Sequence, residues 1–328
     1  MKCVQVELKK AEIVKNKLLK LNVFDNNFSV SRDEKYVYFP VTKKIIGLKI
    51  VNKKLIRKEV KVSLEELLKN KLNKTELESL YKSYDLVGDI AILEISDELI
   101  KKKKIIAEAL LKSNKTVKTV VRKVGEHKGE YRIQDYEFLF GKKTFETLHK
   151  ENGIVVKLDI RKVYFSPRLS NERLRVARLV IKDETVLVMF SGVGIYNLVI
   201  AKNSLAKEIY GVEINPDGHK YALESLKLNK FNNIKLYCGD VRRVLPKLKK
   251  RFDRIVMPLP HTSLEFLDLA LKYLDKSGVI HLYYFASEED IVKVIETIKN
   301  NVKCKVLNVV KCGQQSPRIY RFCIDFKV

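Results

Sequence analysis

The sequence predicts an α/β protein built on a doubly wound parallel sheet, with two smaller α/β units before it. From residue 185 onward, strand-like and helix-like segments alternate strictly, which is typical of a parallel sheet with right-handed crossovers. Its first strand, 185–189, runs into a turn containing Gly192 and Gly194, and a helix follows at once. The last two strand-like segments, 303–311 and 319–326, can close the sheet as an antiparallel hairpin.

Composition indicates a folded protein without a membrane span. The chain has 328 residues, of which 46% are hydrophobic, enough for several cores. It has no run of about 18 apolar residues and no apolar signal core at its start, so we expect a cytoplasmic protein. The five cysteines are scattered and the five histidines are isolated, which predicts neither disulfides nor a metal site.

The charge balance favours a polyanionic partner. The formal net charge is +25, and it is shared almost equally between residues 1–160 (+12) and 161–328 (+13). A basic excess spread over the whole chain is expected when several domains contact one nucleic acid, because neutralising phosphates releases counterions. A general lysine bias is the alternative, but it usually raises the glutamate content as well.

Residues 1–60 read as a small α/β module, in which the apolar spacing over 6–21 predicts an amphipathic helix. Residues 61–158 form a second α/β unit, where 85–95 reads as one strand interrupted by Gly88. Residues 159–328 form the largest domain. Its first helix is predicted over 172–180, with Asn171 as the N-cap.

The ends of the predicted parallel strands carry the candidate ligand-binding groups, since ligands of such sheets bind at the carboxyl ends of strands. Glu213 ends the second strand, about 20 residues after the glycine turn, where an acid can bind ribose hydroxyls. Asp240 ends the third strand, where an acid can accept a hydrogen bond from an adenine amine. Two acids at successive strand ends, with the closing hairpin, indicate S-adenosylmethionine. The alternative for each acid is helix N-capping.

These features resemble one family, the archaeal and eukaryotic tRNA (guanine37-N1)-methyltransferases. The resemblance runs from about residue 120 to the end of the chain. The matching motifs are G-E-Y-R (129–132), H-K-E-N-G (149–153), Y-F-S-P-R-L-S-N-E-R (164–173), M-F-S-G-V-G (189–194), V-E-I-N-P (212–216) and G-D-V-R (239–242). The resemblance implies a Rossmann-like class I methyltransferase sheet preceded by two smaller N-terminal α/β RNA-binding domains. The first of these would dock on the outer corner of tRNA.

The resemblance also implies an activity: methyl transfer from S-adenosylmethionine to N1 of guanosine 37. Some members of the archaeal branch also methylate C7 of an imidazo-guanosine intermediate of wyosine synthesis. The family assigns the base near N1 to Glu172 and the partner of O6 to Arg132, and Pro260 joins them as a catalytic candidate. From the residues alone, Glu172 could be a helix-dipole acid and Arg132 a phosphate contact.

The remaining candidates bind the cofactor or the substrate. The cofactor candidates are Phe165, Arg173, Phe190, Gly192, Gly194, Glu213, Ile214, Asp240, Val241, Met257 and Pro258. Tyr164 and Tyr196 are the substrate candidates, Tyr196 as a ring on which an extruded base could stack, although a core tyrosine is the alternative there. We expect a monomer that contacts the anticodon loop and outer corner of tRNA.

Two positions depart from the family pattern. Val188 replaces an acid that is common in the first strand, and Met257 replaces the asparagine that usually opens the fourth-strand motif. These departures keep two alternatives open. One is an RNA methyltransferase of the same fold with another target atom, and the other is a tRNA-binding protein that has lost catalysis.

Overall fold

The computed structural model describes residues 1–57, 62–81 and 83–328. These residues form two compact units, Met1–Leu67 and Leu68–Val328. The boundary predicted between residues 60 and 61 lies outside the described residues. In the described part of the chain, no helix combines the length and apolar character that crossing a membrane requires.

The first unit is a four-stranded antiparallel sheet with one long helix. Its elements are β1 (Lys2–Glu7), α1 (Ala11–Lys20), β2 (Ser31–Arg32), β3 (Tyr36–Pro40) and β4 (Ile50–Asn52), with the strands in the order β2-β3-β1-β4. The prediction of one helix over 6–21 was wrong at its start. Val4 and Val6 alternate with less buried residues and pack with Leu18 of α1, so the segment forms a strand before the helix begins.

The short helix α2 (Leu64–Leu68) contains the boundary between the two units. The second unit continues with two helices and a second four-stranded sheet, whose bounds are α3 (Lys74–Glu78), β5 (Asp85–Val87), β6 (Ile90–Leu93), α4 (Lys103–Ser113), β7 (Thr119–Lys128) and β8 (Ile133–Gly141). A separate antiparallel hairpin follows, β9 (Glu146–Glu151) and β10 (Ile154–Asp159).

The segment 85–95 is not the single strand that was predicted. It folds back at Gly88 into the antiparallel pair β5 and β6. Gly88 has φ +58°, and a Cβ there would lie 2.1 Å from Thr147 Oγ1 and 2.6 Å from the carbonyl oxygen of Leu148. Only glycine fits both the turn and this close approach of β9.

The largest part of the second unit confirms the predicted doubly wound sheet. Its strands are β11 (Thr185–Val188), β12 (Glu208–Glu213), β13 (Ile234–Cys238), β14 (Phe252–Met257), β15 (Leu274–Ala286), β16 (Lys305–Ser316) and β17 (Ile319–Lys327). Their order is β13-β12-β11-β14-β15-β17-β16; the first five are parallel, and β17 runs antiparallel to both of its neighbours. The closing hairpin is thus also confirmed, with its second strand inserted next to β15.

Helices cover both faces of this sheet. They are α5 (Ser170–Leu179), α6 (Ile195–Asn203), α7 (Pro216–Asn229), α8 (Val241–Leu248), α9 (Leu267–Tyr273) and α10 (Ile291–Asn301). Both faces of β11 are buried, because Val186 and Val188 belong to one apolar cluster while Leu187 and Met189 belong to another. Val188 therefore occupies a dry core position, where an unpaired acid would be costly.

The helix α5 begins earlier than predicted, and Asn171 is not its N-cap. A single 3-10 turn, Pro167–Leu169, leads directly into Ser170, and no side chain caps the helix. Arg173 holds the preceding loop instead: it donates two hydrogen bonds of 2.6 Å to the Glu151 carboxylate and one of 3.1 Å to the carbonyl of Ser166. This buried pair fixes the loop 163–169.

Candidate active site

A cleft of about 820 Å³ lies over the carboxyl ends of the central parallel strands. One wall consists of the segments that follow β11, β12, β13 and β14. The opposite wall consists of the turn 129–132 between β7 and β8 and the loop 163–169 before α5. All these segments belong to the second unit.

The glycine turn forms the floor at one end of the cleft. Gly192 has φ +54°, and nothing lies within 4 Å of the position that a Cβ would take, so the backbone faces open space. Gly194, with φ +75°, precedes α6, and a Cβ there would come within 3.1 Å of the Ala222 methyl group. Both residues need the left-handed conformation that glycine adopts without strain, and Gly192 leaves room for a ligand.

Glu213, at the end of β12, is tied to this turn. Its carboxylate accepts hydrogen bonds from the backbone N–H of Gly192 at 2.6 Å and of Asn215 at 2.8 Å. Burial raises the pKa of Glu213, and these backbone donors oppose the rise. The side chain remains partly exposed to the cleft, where it can accept hydrogen bonds from hydroxyl groups.

Asp240 serves as the N-cap of α8, as the alternative interpretation allowed. Its Oδ1 accepts from the backbone N–H of Arg242 at 2.8 Å and from the Nε of the same residue at 3.2 Å. In the described part of the chain no hydrogen bond to Oδ2 is found, and the residue lines the cleft. Capping and ligand binding are therefore compatible, because they use different oxygens.

Aromatic side chains cover the same end of the cleft. The ring of Phe190 meets that of Phe266 edge to face, with centroids 5.0 Å apart, and the Arg242 guanidinium lies 4.9 Å from the Phe266 centroid. Two carboxylates, an open glycine backbone and an aromatic cover fit the hydroxyls, amine and ring of an adenosine group. This end of the cleft thus suits S-adenosylmethionine, and we name it the cofactor end.

The other end of the cleft is cationic. Arg132 stands in the turn with φ +52°, and its carbonyl oxygen is bonded to His127 Nδ1 at 2.9 Å. Burial lowers the pKa of Arg132, and the nearby Arg321 lowers it further. The hydroxyl of Tyr164 accepts from Arg321 Nη2 at 3.0 Å, and its ring meets the His127 ring edge to face.

Glu172 does not line this cleft. It is 5% exposed, and both of its oxygens accept from Arg175, at 2.7 and 2.8 Å, while Tyr283 donates a third hydrogen bond at 2.7 Å. To act as a base, its carboxylate would have to leave some of these partners. Its catalytic role therefore stays a prediction.

A buried polar network extends from Glu172 to residues on the strands β14, β15 and β17. Arg175 also contacts Asp325 at 2.5 Å, and Asp325 is bonded to His281 Nδ1 at 2.6 Å. Arg254 donates to His281 Nε2 at 2.8 Å, which fixes a neutral ring with its proton on Nδ1. Cys323 completes a triad of possible metal ligands with His281 and Asp325. Arg175 and Arg254 already place two positive charges beside this triad, where a metal ion would otherwise supply the charge.

The structure brings most predicted site residues to the cleft. Those that line it are Arg132, Pro260, Phe165, Phe190, Gly192, Glu213, Ile214, Asp240, Val241, Pro258 and Tyr164. Those that do not are Glu172, Arg173, Gly194, Met257 and Tyr196.

Tyr196 is a correction to the predicted substrate residues. It is buried in the apolar core, and its hydroxyl donates to that of Tyr283 at 2.9 Å, so its ring cannot receive a base. Arg173 is corrected as a cofactor contact, because its guanidinium is buried against Glu151. Met257 is buried in the core behind the cleft wall. Gly194 is the N-cap residue of α6, so it affects the site only through the position of that helix.

Several lining residues escaped the sequence reasoning, among them His127, His261, Phe266, Phe285 and Arg321. Arg321 lies in the final strand, for which the sequence predicted only a place in the closing hairpin; residues 321–326 of that strand are all buried. His261 follows Pro260 directly, so its place after the fourth strand was a usable signal.

Comparisons with known proteins agree with this geometry. The TRM5/TYW2 methyltransferase domain model matches residues 147–310, the TYW2 N-terminal domain model matches 64–144, and the tRNA methyltransferase 5 N-terminal domain model matches 3–49. The chain is 37% identical to tRNA (guanine(37)-N(1))-methyltransferase Trm5b of Pyrococcus abyssi and 35% identical to that of Methanocaldococcus jannaschii. Each alignment covers 99% of this chain and 98% of the relative.

A third relative carries a double name. The Nanoarchaeum equitans tRNA (guanine(37)-N(1))/4-demethylwyosine(37)-methyltransferase Taw22 is 33% identical, over 66% of this chain and 88% of the relative. Among solved structures, the complex of aTrm5 and tRNALeu is similar, with a TM-score of 0.74, 34% identity and 99% of both chains covered. Pyrococcus horikoshii TYW2 in complex with MeSAdo follows with a TM-score of 0.67, 30% identity, and coverage of 80% of this chain and 97% of that chain.

Proposed function

Because the chain belongs to the TRM5/TYW2 methyltransferase family, we propose that it methylates N1 of guanosine 37 in tRNA, with S-adenosylmethionine as the methyl donor. The observation that carries the proposal is the polarity of the cleft. Carboxylates at one end suit a nucleoside cofactor, and two arginines at the other, which form no ion pair among the described residues, suit a nucleotide of RNA. The two relatives aligned over nearly the whole chain are named for this reaction.

The cofactor end offers a matched set of groups for S-adenosylmethionine. Glu213 would accept hydrogen bonds from the ribose hydroxyls and Asp240 from the adenine amine, with Phe190 beside the ring. Gly192 lets the backbone approach closely. When bound, S-adenosylmethionine supplies an electrophilic methyl group.

Residues of the chain must accept the proton of the target base and stabilise the charge that develops on it. The nitrogen N1 of guanine carries a proton, which has to leave as the new N–C bond forms, and negative charge otherwise grows on O6. Arg132 would stabilise that charge, since its guanidinium lines the cleft without a carboxylate partner among the described residues. Glu172 is the proposed proton acceptor, which requires its carboxylate to exchange a present hydrogen bond for the base.

Tyr164 would contact the extruded base. It is partly exposed, lines the cleft and is held by Arg321 and His127. Extruded bases are commonly held against aromatic side chains, with hydrogen bonds to their Watson–Crick edge. Pro258 and Pro260 lie in the rigid segment between the two ends and would limit the path along which the base approaches.

We further propose a cytoplasmic monomer that contacts tRNA at both the anticodon loop and the outer corner. The first unit would provide the outer-corner contact, as its match to a tRNA methyltransferase N-terminal domain suggests. The basic excess on both halves of the chain supports contacts from more than one unit. Light scattering of the complex would measure its stoichiometry, and a 2:1 complex would contradict the monomer.

A methyl-transfer assay tests the proposed function. The protein is incubated with labelled S-adenosylmethionine and unmodified tRNA that carries guanosine 37, and the modified nucleoside is mapped. The matched control is the same tRNA with adenosine 37. We expect 1-methylguanosine only from the first substrate. Methylation of another atom, or tRNA binding without any transfer, would reject the proposal in favour of the two alternatives.

A second arm of the assay uses tRNA that carries 4-demethylwyosine at position 37. The relatives aligned over the full chain bear the simple name, whereas the one with the double name aligns over 66% of it. We therefore expect guanosine 37 to be the substrate. Transfer to C7 of the tricyclic base would extend the activity to the wyosine pathway.

A further inference from the structure

Arg321 is a buried cation that has no acidic partner in the described part of the chain. The residue is 9% exposed and lies near the turn of the final hairpin. Its Nη2 donates to the Tyr164 hydroxyl at 3.0 Å, and its guanidinium lies 5.0 Å from the centroid of the Phe285 ring. No hydrogen-bond partner is found for Nε, and no ion pair for the side chain, within residues 1–57, 62–81 and 83–328.

A second unpaired arginine shares the same end of the cleft. Arg132 and Arg321 are close enough for the charge of one to lower the pKa of the other. His261 lies close to both, and its pKa is lowered first by burial and then by the two arginines. By contrast, the lining acids Asp85 and Glu94 have their own cationic partners. Neither arginine forms an ion pair within the described residues, although the exposed Glu130 stands in the same turn as Arg132.

Burying a cation without a counter-ion is unfavourable, by several kcal/mol for a desolvated group. Two features hold Arg321 in place despite this. Its strand is paired on both sides, with Arg321 opposite Phe285 on one and Gly313 on the other. The Tyr164 hydroxyl then anchors one nitrogen of the guanidinium. The protein therefore presents a preformed cationic site that an anion would complete.

We propose that Arg321 binds the phosphate of the extruded nucleotide, while Arg132 remains for the base. This rests on the proposed function, because it needs an RNA nucleotide in the cleft. A guanine ring is neutral and cannot balance a second buried cation, whereas a phosphodiester brings one negative charge. A guanidinium also matches phosphate oxygens well. The phosphate contact would orient the sugar so that N1 faces the cofactor end.

Binding measurements on the full chain test this assignment without relying on methyl transfer. The ligand is an anticodon stem-loop RNA with guanosine 37, and its dissociation constant is measured from about 50 to 200 mM salt. We expect Arg321→Gln to weaken binding by about 10- to 100-fold at low salt, as for loss of a charge-assisted hydrogen bond. The slope of log affinity against log salt should also fall by about 0.7, the value for one phosphate on a single strand.

The control is Arg318→Gln, which removes the same charge from an exposed position in the turn of the same hairpin. We expect it to change affinity less than about 2-fold, as for a solvated surface charge. Equal losses in both variants would overturn the site assignment. An unchanged salt slope with lost preference for guanosine over adenosine would show that Arg321 reads the base, which also overturns it.

Arg321→Lys distinguishes loss of the phosphate contact from a failure of the Arg321→Gln variant to fold. Lysine keeps the charge but loses the forked donor geometry, so we expect it to keep the salt slope and recover part of the affinity. Affinity for S-adenosylmethionine should be unchanged in all three variants, since the cofactor end is separate. A wild-type protein that binds the RNA but transfers no methyl group would refute the proposed function and still leave the phosphate site testable.

Discussion

Replacing Glu172 by glutamine separates a catalytic role from a structural one. The carboxylate accepts two hydrogen bonds from Arg175 and one from Tyr283, all within a buried region. Glutamine is close in shape but neutral, so it breaks the ion pair and leaves the Arg175 charge to Asp325 alone. The variant is therefore destabilised whatever the role of the carboxylate.

The size of that destabilisation follows from the environment. Breaking a buried ion pair costs about 3–5 kcal/mol, and the lower end applies because Arg175 is partly exposed and keeps its second partner. For a unit of this size, 1 kcal/mol shifts the melting temperature by about 2–4 °C. We therefore expect Glu172→Gln to melt roughly 6–12 °C below the wild type.

Turnover must then be compared with a variant of equal or lower stability that keeps the carboxylate. Arg175→Gln serves as this control, since it removes the shared partner of both Glu172 and Asp325. Single-turnover methylation of tRNA is measured well below both melting temperatures. If Glu172 is the base, its variant loses about 10²- to 10⁴-fold in rate, Arg175→Gln loses far less, and cofactor affinity changes little in either.

The refuting result is equally specific. If Arg175→Gln loses as much rate as Glu172→Gln, activity follows the integrity of the buried pair and the carboxylate has no chemical step of its own. Tyr283→Phe adds an intermediate case. It removes the hydrogen bond to the Glu172 carboxylate, worth about 1.5–3 kcal/mol, and the acceptor of the Tyr196 hydroxyl, but it removes no charge. A rate in Tyr283→Phe above that of the wild type would indicate that freeing the carboxylate helps catalysis.

Three further outcomes follow from the structure. Asp240→Ala should weaken S-adenosylmethionine binding about 10-fold or more by calorimetry, because it removes a charged acceptor; unchanged affinity would leave only its capping role. Gly88→Ala should destabilise the protein by more than 3 kcal/mol in urea, since a Cβ there meets a backbone carbonyl at 2.6 Å, whereas Gly125→Ala, at φ +67° in open space, should cost only about 1–2 kcal/mol. Burial lowers the pKa of His281, so the unfolded chain takes up a proton below about pH 6.5 that the folded chain excludes, and stability falls by up to about 1.4 kcal/mol per pH unit. His281→Asn, whose amide can still donate to Asp325, should flatten that decline between pH 6.5 and pH 5, and an equal slope in both proteins would contradict the assignment.

The sequence was informative wherever function depends on the order of elements along the chain. Alternating strands and helices predicted the parallel sheet, and strand ends predicted where Gly192, Glu213 and Asp240 meet. These residues are local to their strands, so their position in the sheet follows from topology alone. The interpretation of Asp240 as either cap or ligand could not be decided, because the two roles use different oxygens of one carboxylate.

Sequence reasoning failed where side-chain direction decides the outcome. Tyr196 and Glu172 occupy positions on neighbouring helices that face the core, which a motif does not specify. Arg321 reaches the cleft because β17 is inserted between β15 and β16. Two strands that run consecutively along the chain gave no sign of that insertion. Gly88 likewise marks a reversal required by a distant strand, and a local pattern cannot record such a contact.

The charge arrangement of the cleft also constrains how an RNA can enter it. Glu213 and Asp240 accept hydrogen bonds at one end, whereas Arg132 and Arg321 have no carboxylate partners in the described chain at the other. A nucleotide entering in reverse would set its phosphate against two acids and leave both arginines unbalanced. Repulsion of this kind discriminates between orientations as effectively as attraction does. On the proposed function, the same polarity that suits the cofactor would therefore direct the base edge, rather than the phosphate, toward the methyl group.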